Sequence, residues 1–369
     1  MTEISIPKTA ADVDAAWVDA AMHSTGAFTS ARVIHVAGAD LEGVHGGLMG
    51  DLTRIEITWD SDDPALPRSA VLKLPTQLED NRAFAVAFGQ YAAEHGFYSE
   101  VAPQTRVRVP RCWYAGNDGT PEGIALLLED VGHLETVDPI DGLSLARAEA
   151  AIDELARLHS KWWGNEFLAE VDWLPTTNAE SLNGYGAMCE ASLPAFLEAT
   201  TGLLSPDDHN LCRRFVENFK SLYPANDGDP HPLQGTPTLL HRDFHLGNMF
   251  WDGDQPVIYD WGNVAEAYGF YDVVYFLAGA LTEETAAAHS RELLTRYRQG
   301  LVAGGVEMTD EEFVNWHHVN ALFCLIVPLL AMGDALASND QTDAVMRATV
   351  GRLFAYFRQH DVAAVFDVV

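Results

Sequence analysis

The chain has 369 residues, 48% of them hydrophobic and 10% aromatic, with a formal net charge of −32 at pH 7. This composition is that of a folded globular protein, and the length favours two lobes over one compact core. The negative charge argues against nucleic acid and anionic membranes as partners, because it repels their phosphates. A cationic substrate would be attracted by this charge, but we interpret the acidity as a feature of solubility or of a salty habitat.

Cysteine usage and the apolar runs predict a cytoplasmic protein. The four cysteines are far apart, and none has C-x-x-C spacing: Cys112, Cys189, Cys212 and Cys324. We therefore expect neither structural zinc nor a disulfide framework, and a reducing compartment fits. The first residues carry no basic patch or apolar run, so no signal peptide is expected. The apolar run Ala321–Met332 is too short for a membrane span and predicts a buried core helix.

The first third of the chain predicts one helix followed by strands. Apolar residues at helical spacing indicate a helix at Ala10–Met22. Alternating or continuous apolar runs then predict four strands: Arg32–Val36, Leu52–Trp59, Ala70–Leu74 and Gly123–Val131. In Leu52–Trp59 the apolar positions are Ile55, Ile57 and Trp59, which indicates a strand with one buried face.

A glycine-rich segment, residues 43–50, lies between the first two strands. Glycines at such a place can form a simple turn. Gly46 and Gly47 would also allow backbone amides to approach phosphates, because no Cβ blocks the approach. The position of this segment ahead of a strand that carries Lys73 favours phosphate binding.

Lys73 lies in the otherwise apolar strand segment Val71–Pro75. Because lysine is seldom buried without a partner, this environment predicts a carboxylate next to it. The alternative is a solvent-exposed lysine on an edge strand.

The remainder of the chain is predicted to be mainly helical. Apolar residues recur at spacings of four and three on one helix face: Ala148, Ile152, Leu155, His159 and Trp162. A histidine on such a face indicates a hydrogen-bonded core residue more than a ligand. Further helices are predicted at about residues 178–200, 206–222, 284–303, 310–336 and 340–359.

The segment from His241 to Trp261 carries the chemistry. Residues Asn248–Trp251 and Pro256–Asp260 predict two strands of a hairpin joined by residues 252–255. Antiparallel pairing would place Asn248 beside Asp260, with Asp243 on the loop that leads to them. Two aspartates and an asparagine brought together can hold magnesium on phosphates and position a hydroxyl nucleophile, which predicts a phosphotransferase.

This pattern, H-x-D-x-x-x-x-N at His241–Asn248 followed by Asp260-Trp261, resembles the protein-kinase catalytic signature. It is most similar to the aminoglycoside phosphotransferase and choline kinase-like superfamily, and within it to the ecdysteroid-kinase-like branch. The resemblance implies an α+β, bilobal protein kinase-like fold. Its N-terminal lobe, residues 1–130, would be an antiparallel sheet with helices that binds nucleotide. Its C-terminal lobe, residues 131–369, would be mainly helical and bind the acceptor.

The resemblance also implies a reaction, in which the γ-phosphate of ATP or GTP moves to a hydroxyl of a small-molecule alcohol with Mg²⁺ as cofactor. Asp243 would then be the catalytic base, and Asn248 and Asp260 would be the metal ligands. Arg242 would help with charge on the transferring phosphate, whereas His245 would brace the loop.

The same resemblance implies which residues bind the nucleotide. Lys73 would contact the α and β phosphates and pair with Glu94 of an E-x-x-F-Y pattern, with Glu100 as the alternative partner. Glu129-Asp130 would form the hinge at the adenine ring. Asp272, at the start of a helix, would cap that helix or brace the catalytic loop.

Two other functional classes remain open from the sequence. A nucleotide-binding pseudokinase is disfavoured because Lys73, Asp243, Asn248 and Asp260 are all present. A metal-dependent hydrolase built on His241-x-Asp243-x-His245 would need further ligands and would leave Lys73 unexplained. The sequence does not indicate which alcohol is the acceptor, nor an oligomeric state.

Overall fold

The computed structural model describes residues 4–26, 28–39, 49–224, 235–333 and 340–367. The chain divides into two compact units. Unit 1 comprises Met1–Glu135, Asp172–Pro175 and Val257–Val264, and unit 2 comprises Thr136–Val171, Thr176–Pro256 and Ala265–Val369. Two short segments from the later part of the chain thus belong to unit 1. The lobe boundary that we place after residue 130 from the sequence stays a prediction.

Unit 1 is built on a five-stranded antiparallel sheet in the order β1-β2-β3-β5-β4. Its strands are β1 Val33–Ala39, β2 Gly50–Trp59, β3 Ser69–Pro75, β4 Cys112–Asn117 and β5 Ile124–Glu129. Lys73 of β3 pairs with Leu52 on one side and Leu126 on the other. The edge-strand alternative for Lys73 is therefore wrong, because β3 is the central strand.

The predicted alternation along β2 is present. Ile55, Ile57 and Trp59 are each 4% exposed, so one face of the strand lies in the core. Helix α1, Ala15–Ser24, lies against this core. The rings of Trp17 and Tyr114 meet there edge to face, with centroids 5.5 Å apart. Burial of such large rings is a main source of stability in a small sheet.

The helices of unit 1 are α1 Ala15–Ser24, α2 Glu79–Ala87 and α3 Gln90–Gly96, and α3 continues into a π-helical turn, Phe97–Val101. The predicted N-terminal helix begins later than expected. Residues Ala10–Asp12 form a short 3₁₀ turn, and the carboxylate of Asp14 accepts a hydrogen bond from the Trp17 N–H as the N-cap of α1. An aspartate that caps a helix in this way starts it at the following residue.

Unit 2 is mainly helical. Its helices are α4 Leu145–Trp162, α5 Glu166–Glu170, α6 Ala179–Ala199, α7 Pro206–Glu217, α8 Phe219–Leu222, α9 Phe270–Ala280, α10 Glu283–Ala303, α11 Asp310–Phe323, α12 Ile326–Gly333 and α13 Asp340–Gln359. A short sheet pairs β6 Thr238–Leu240 with β9 Ala265–Ala267. Together with the sheet of unit 1, these elements confirm the predicted α+β, kinase-like fold class.

Two of the predicted helices are interrupted. Helix 206–222 divides at Asn218, whose side-chain amide donates to the carbonyl of Arg214 at 2.8 Å. The predicted helix 310–336 divides at Cys324, whose backbone N–H donates to the carbonyl of Ala321, three residues earlier, at 3.1 Å. Pro328 explains this second division, because it lacks an N–H and fits only in the first turn of α12.

The predicted hairpin is shorter than expected. Its strands are β7 Met249–Asp252 and β8 Gln255–Ile258, and Gly253 begins the turn with a φ of 62°. Asn248 ends a 3₁₀ turn before β7, and Asp260 follows β8. Both residues therefore lie just outside the paired strands, and their position side by side stays a prediction.

Among the described residues, one helical segment, Asp310–Met332, has the length and apolarity of a membrane span, and 61% of its apolar window is buried. A core helix of a globular protein has the same length and apolarity. The sequence predicts such a buried helix at Ala321–Met332, the second half of this segment.

Candidate active site

In unit 1, Lys73 lies between two carboxylates. Its Nζ is 2.7 Å from Oε1 of Glu94 and 2.8 Å from Oδ1 of Asp260. The side chains of Lys73 and Glu94 are 13% and 3% exposed, whereas that of Asp260 is 38% exposed. The predicted pairing of Lys73 with Glu94 is present. The alternative partner, Glu100, instead accepts a hydrogen bond from the indole of Trp173.

The pKa values of Lys73 and Glu94 are shifted by burial and by the neighbouring charges. Burial lowers the pKa of Lys73, but the charges of Asp260 and Glu94 outweigh it and raise the pKa above its ordinary value. Burial raises the pKa of Glu94, and the charge of Lys73 opposes that shift. Lys73 is therefore a fixed positive charge at neutral pH, as a phosphate-binding lysine must be.

Helix α3 and the π-helical turn after it hold the segment around Asp260. Trp261 stacks on Phe97 with ring centroids 3.8 Å apart and planes 6° from parallel. The side-chain amide of Gln90 donates to Asn263 at 2.8 Å, and the backbone of Trp261 hydrogen-bonds the carboxylate of Glu94. These contacts sustain the left-handed backbone of Asp260, which has a φ of 62°.

The two residues at the predicted hinge are engaged through their side chains. Glu129 accepts two hydrogen bonds from the guanidinium of Arg108, at 2.8 and 2.9 Å, and Asp130 accepts one from Arg54 at 2.7 Å. Their contact with an adenine ring stays a prediction. Gly46 and Gly47 lie outside the described residues.

In unit 2, Asp243, His245 and Asn248 form one hydrogen-bonded group. The amide nitrogen of Asn248 donates to the carbonyl oxygen and to Oδ2 of Asp243, at 3.0 and 3.1 Å. The Nε2 atom of His245 lies 3.3 Å from Oδ1 of Asp243. Burial raises the pKa of Asp243, but His245 first, then His241 and Asn248, reverse the shift and lower it. Asp243 is therefore a carboxylate at neutral pH.

Asp272 braces the loop that carries Asp243. Its buried carboxylate accepts hydrogen bonds from the backbone N–H groups of His241 and Arg242, at 2.8 and 2.9 Å. The predicted bracing role is thereby confirmed, whereas the N-cap position of α9 is Gly269. Arg242 has a φ of 63°, so the loop is held in a conformation that only these tertiary contacts maintain.

His159 lies behind Asp272. Its ring nitrogens are 2.8 Å from the Tyr297 hydroxyl and 3.4 Å from Oδ2 of Asp272, and the side chain has no exposed surface. The interpretation of His159 as a hydrogen-bonded core histidine is therefore correct.

Sequence reasoning missed the hydrogen-bond partners of three residues in these groups. Gln90 and Asn263 pair across 173 positions, and Tyr185 accepts a hydrogen bond from Arg242 across 57 positions. No local motif marks such long-range pairs. The arginine next to Asp243 was the one available signal for a partner such as Tyr185.

The two residues predicted as metal ligands, Asn248 in unit 2 and Asp260 in unit 1, each carry oxygen donors. The amide nitrogen of Asn248 is directed at Asp243, so its amide oxygen is the atom that a metal would use. Asp260 has an accessible carboxylate with one oxygen on Lys73. Such hard oxygens are the ligands that Mg²⁺ prefers. Among the described residues, no three or more His, Cys, Asp or Glu side chains are grouped to hold a metal, which gives the hydrolase alternative no ligand set.

Known structures have the same fold. Choline kinase from Cryptosporidium parvum Iowa II is 10% identical, with 90% of this chain and 91% of that chain covered at a TM-score of 0.56. A protein provisionally assigned as an aminoglycoside phosphotransferase, from Ralstonia eutropha JMP134, is 13% identical, with 88% and 92% covered at a TM-score of 0.50. At these identities the likeness shows the kinase-like fold alone. A search of curated proteins gave no significant match.

The family model for the phosphotransferase enzyme family matches residues 62–308. This range includes Lys73, Glu94, Asp243, Asn248 and Asp260, and it spans more than half of the chain. The finer assignment to the ecdysteroid-kinase-like branch has no support among these matches. The chain belongs to the phosphotransferase enzyme family.

Proposed function

We propose that this protein moves the γ-phosphate of ATP or GTP to a hydroxyl of a small molecule in a Mg²⁺-dependent reaction. The observation that carries the proposal is Lys73, held between Glu94 and Asp260 in a chain of this family. A phosphotransferase needs a fixed cation for the phosphates and a carboxylate for the metal.

Each residue has a proposed role. Lys73 binds the α and β phosphates, and Glu94 keeps its ammonium in place. Asp260 in unit 1 and Asn248 in unit 2 are proposed metal ligands. When bound, Mg²⁺ would neutralise charge on the phosphates. Gly46 and Gly47 are proposed to approach the phosphates through their backbone amides.

Asp243 is proposed to orient the acceptor hydroxyl and to accept its proton. Its lowered pKa keeps it ionised at neutral pH, so the carboxylate is ready to accept a hydrogen bond. In phosphoryl transfer with a loose transition state, this orienting role matters more than strong basicity. Asn248 and His245 hold the carboxylate in one orientation.

Thermal unfolding with ATP and with GTP, each with and without magnesium, tests the nucleotide side. A ligand present at a hundredfold excess over its Kd should stabilise the native state by roughly 2.7 kcal/mol. We expect this magnesium-dependent shift in the natural chain and its loss in Asp260→Ala.

Asp243→Asn is the matched control, because it should retain the magnesium-dependent shift and lose phosphate transfer to every alcohol tested. The absence of a shift with either nucleotide at millimolar concentration would contradict the proposal. A shift without any transfer by the natural chain would instead favour a pseudokinase.

A further inference from the structure

The backbone of Arg242 adopts a conformation that residues with a side chain rarely adopt. Its φ of 63° is in the left-handed region, which glycine adopts without a steric cost. Among the described residues only Arg242, Asp260 and Asp361 combine a side chain with a positive φ. Such an outlier next to Asp243 calls for a functional reason for the guanidinium.

Arg242 and Tyr185 together present hydrogen-bond donors. A guanidinium nitrogen of Arg242 donates to the Tyr185 hydroxyl at 2.9 Å, so the hydroxyl oxygen accepts and its proton stays available. In the described part of the chain, this is the one hydrogen bond that the guanidinium forms, although it has five N–H groups. The pair is half-buried and is complementary to an acceptor group such as a carboxylate.

A series of four aromatic rings runs from Tyr185 towards Asp243. We name these rings the aromatic rim: Tyr185, Phe323, Tyr271 and Tyr275. Phe323 contacts Tyr185 and Tyr271 edge to face, each with centroids 5.9 Å apart. Tyr271 stacks on Tyr275 at 5.7 Å with planes 10° from parallel. Tyr275 in turn lies 6.2 Å from the ring of His245, the partner of Asp243.

The aromatic rim is partly accessible. Tyr185, Tyr275 and Phe323 are half-buried, whereas Tyr271 is 7% exposed. Met188, one helical turn after Tyr185 on α6, is 40% exposed. Apolar surface of this kind beside a catalytic group suits a flat apolar ligand body.

The charges here disfavour a cationic acceptor. An ammonium group has only donors, as do Arg242 and the Tyr185 proton. Of the nearby carboxylates, Asp272 has no exposed side-chain surface and accepts from His241 and Arg242. Asp243 is reserved for the reacting hydroxyl.

From this arrangement, and resting on the proposed function, we infer that unit 2 binds an alcohol with an aromatic or similarly apolar body and a carboxylate. The carboxylate pairs with Arg242 and Tyr185, the body lies on the aromatic rim, and the hydroxyl faces Asp243. The acceptor is thus an anionic alcohol rather than a polycation.

Three compounds with one body test this inference: 4-(hydroxymethyl)benzoate, its uncharged amide and 4-(hydroxymethyl)benzylamine. Binding to the full chain without nucleotide is measured by calorimetry. The carboxylate compound should bind at least about tenfold more tightly than the amine, a difference that one charged pair supplies. Arg242→Gly should abolish this preference while relieving the backbone strain, and Arg242→Lys should retain part of it.

Three results would overturn the inference: tighter or equal binding of the amine, carboxylate binding unchanged in Arg242→Gly, or no binding of any compound at roughly 10 mM. Nucleotide-induced stabilisation is measured on the same variants. If Arg242→Gly removes that stabilisation and leaves carboxylate binding intact, Arg242 serves the transferring phosphate instead. Because acceptor binding is measured without nucleotide, its failure is distinguishable from failure of the proposed phosphotransfer.

Discussion

The ammonium group of Lys73 lies 2.8 Å from the carboxylate of Asp260, the residue that we propose as a magnesium ligand. The same ammonium is 2.7 Å from the nearly buried carboxylate of Glu94. Lys73 therefore neutralises two acidic groups, one of which has almost no access to water.

Removal of Lys73 should destabilise the protein through Glu94. In Lys73→Met the Glu94 carboxylate loses its charge partner in a buried place, which typically costs about 3 kcal/mol or more. Denaturant unfolding of Lys73→Met, Glu94→Gln and the double variant measures this coupling. The double variant should recover much of the loss, since neither charge then remains unpaired. Losses that simply add would contradict this account.

The brace at Asp272 should matter more than the hydrogen bonds behind it. Each carboxylate oxygen of Asp272 accepts from one backbone N–H. Asp272→Asn keeps the shape but sets an NH₂ donor against one of these N–H groups, so we expect a loss of about 2 kcal/mol. Tyr297→Phe, which removes only a hydrogen bond to His159, should cost about 1 kcal/mol. Chemical denaturation compares the two variants, and an equal or smaller effect of Asp272→Asn would argue against the brace.

Two glycines should respond to alanine in opposite directions. A Cβ at Gly96 would lie 2.1 Å from the indole of Trp173, so Gly96→Ala should destabilise by roughly 2 kcal/mol, as overpacking does. Gly184, in the interior of α6, has no atom within 4 Å of such a Cβ. Gly184→Ala should therefore stabilise by about 1 kcal/mol, the helix propensity difference. Melting temperatures of both variants measure this contrast.

Stability should fall in mildly acidic solution because of a buried histidine. Burial, with the charges of Arg291 and His318, lowers the pKa of His360 from 6.5 to about 4. His360 is neutral in the folded protein, where its ring nitrogen lies 2.8 Å from the Ser290 hydroxyl. As the pH falls below 6.5, His360 binds a proton in the unfolded chain but not yet in the folded protein, which favours unfolding. The free energy of unfolding is therefore undiminished above pH 6.5 and decreases as the pH falls towards 4.

His360→Gln measures this contribution, which reaches on the order of 3 kcal/mol when the pH has fallen to about 4, the folded-state pKa. We expect the melting temperature of the variant to decline less than that of the natural chain between pH 6.5 and 4. His317 and His318, whose pKa values burial also lowers, should leave a residual decline. Parallel curves for the two proteins would show that His360 does not titrate as proposed.

The sequence predicts most strongly those features that local patterns encode. The alternation in β2 and the apolar face of α4 have the periods of their elements, and the motif from His241 to Asn248 is contiguous. Even the Lys73–Glu94 pair was predictable, because a buried lysine demands a carboxylate and a family pattern supplied it.

The remaining features depend on interactions that no short window contains. The end of the hairpin at Ile258 follows from the left-handed backbone of Asp260, which is maintained by α3 about 170 positions earlier. The second carboxylate on Lys73 comes from that same distant segment. The division at Cys324 was available from Pro328, which interrupts the apolar run within the predicted helix 310–336.

Unit 1 is assembled from separate segments of the chain, which affects how it folds during synthesis. Its core segment ends at Glu135, but Trp173 and Val257–Val264 belong to it as well. A ribosome must therefore extend the chain through Val264 before Lys73 meets Asp260 and Phe97 meets Trp261. Until then the faces of α3 that receive Trp173 and Trp261 lack their partners. Folding of the first unit should thus finish only after about half of the second has been synthesised, and a fragment that stops at residue 135 should be prone to aggregation.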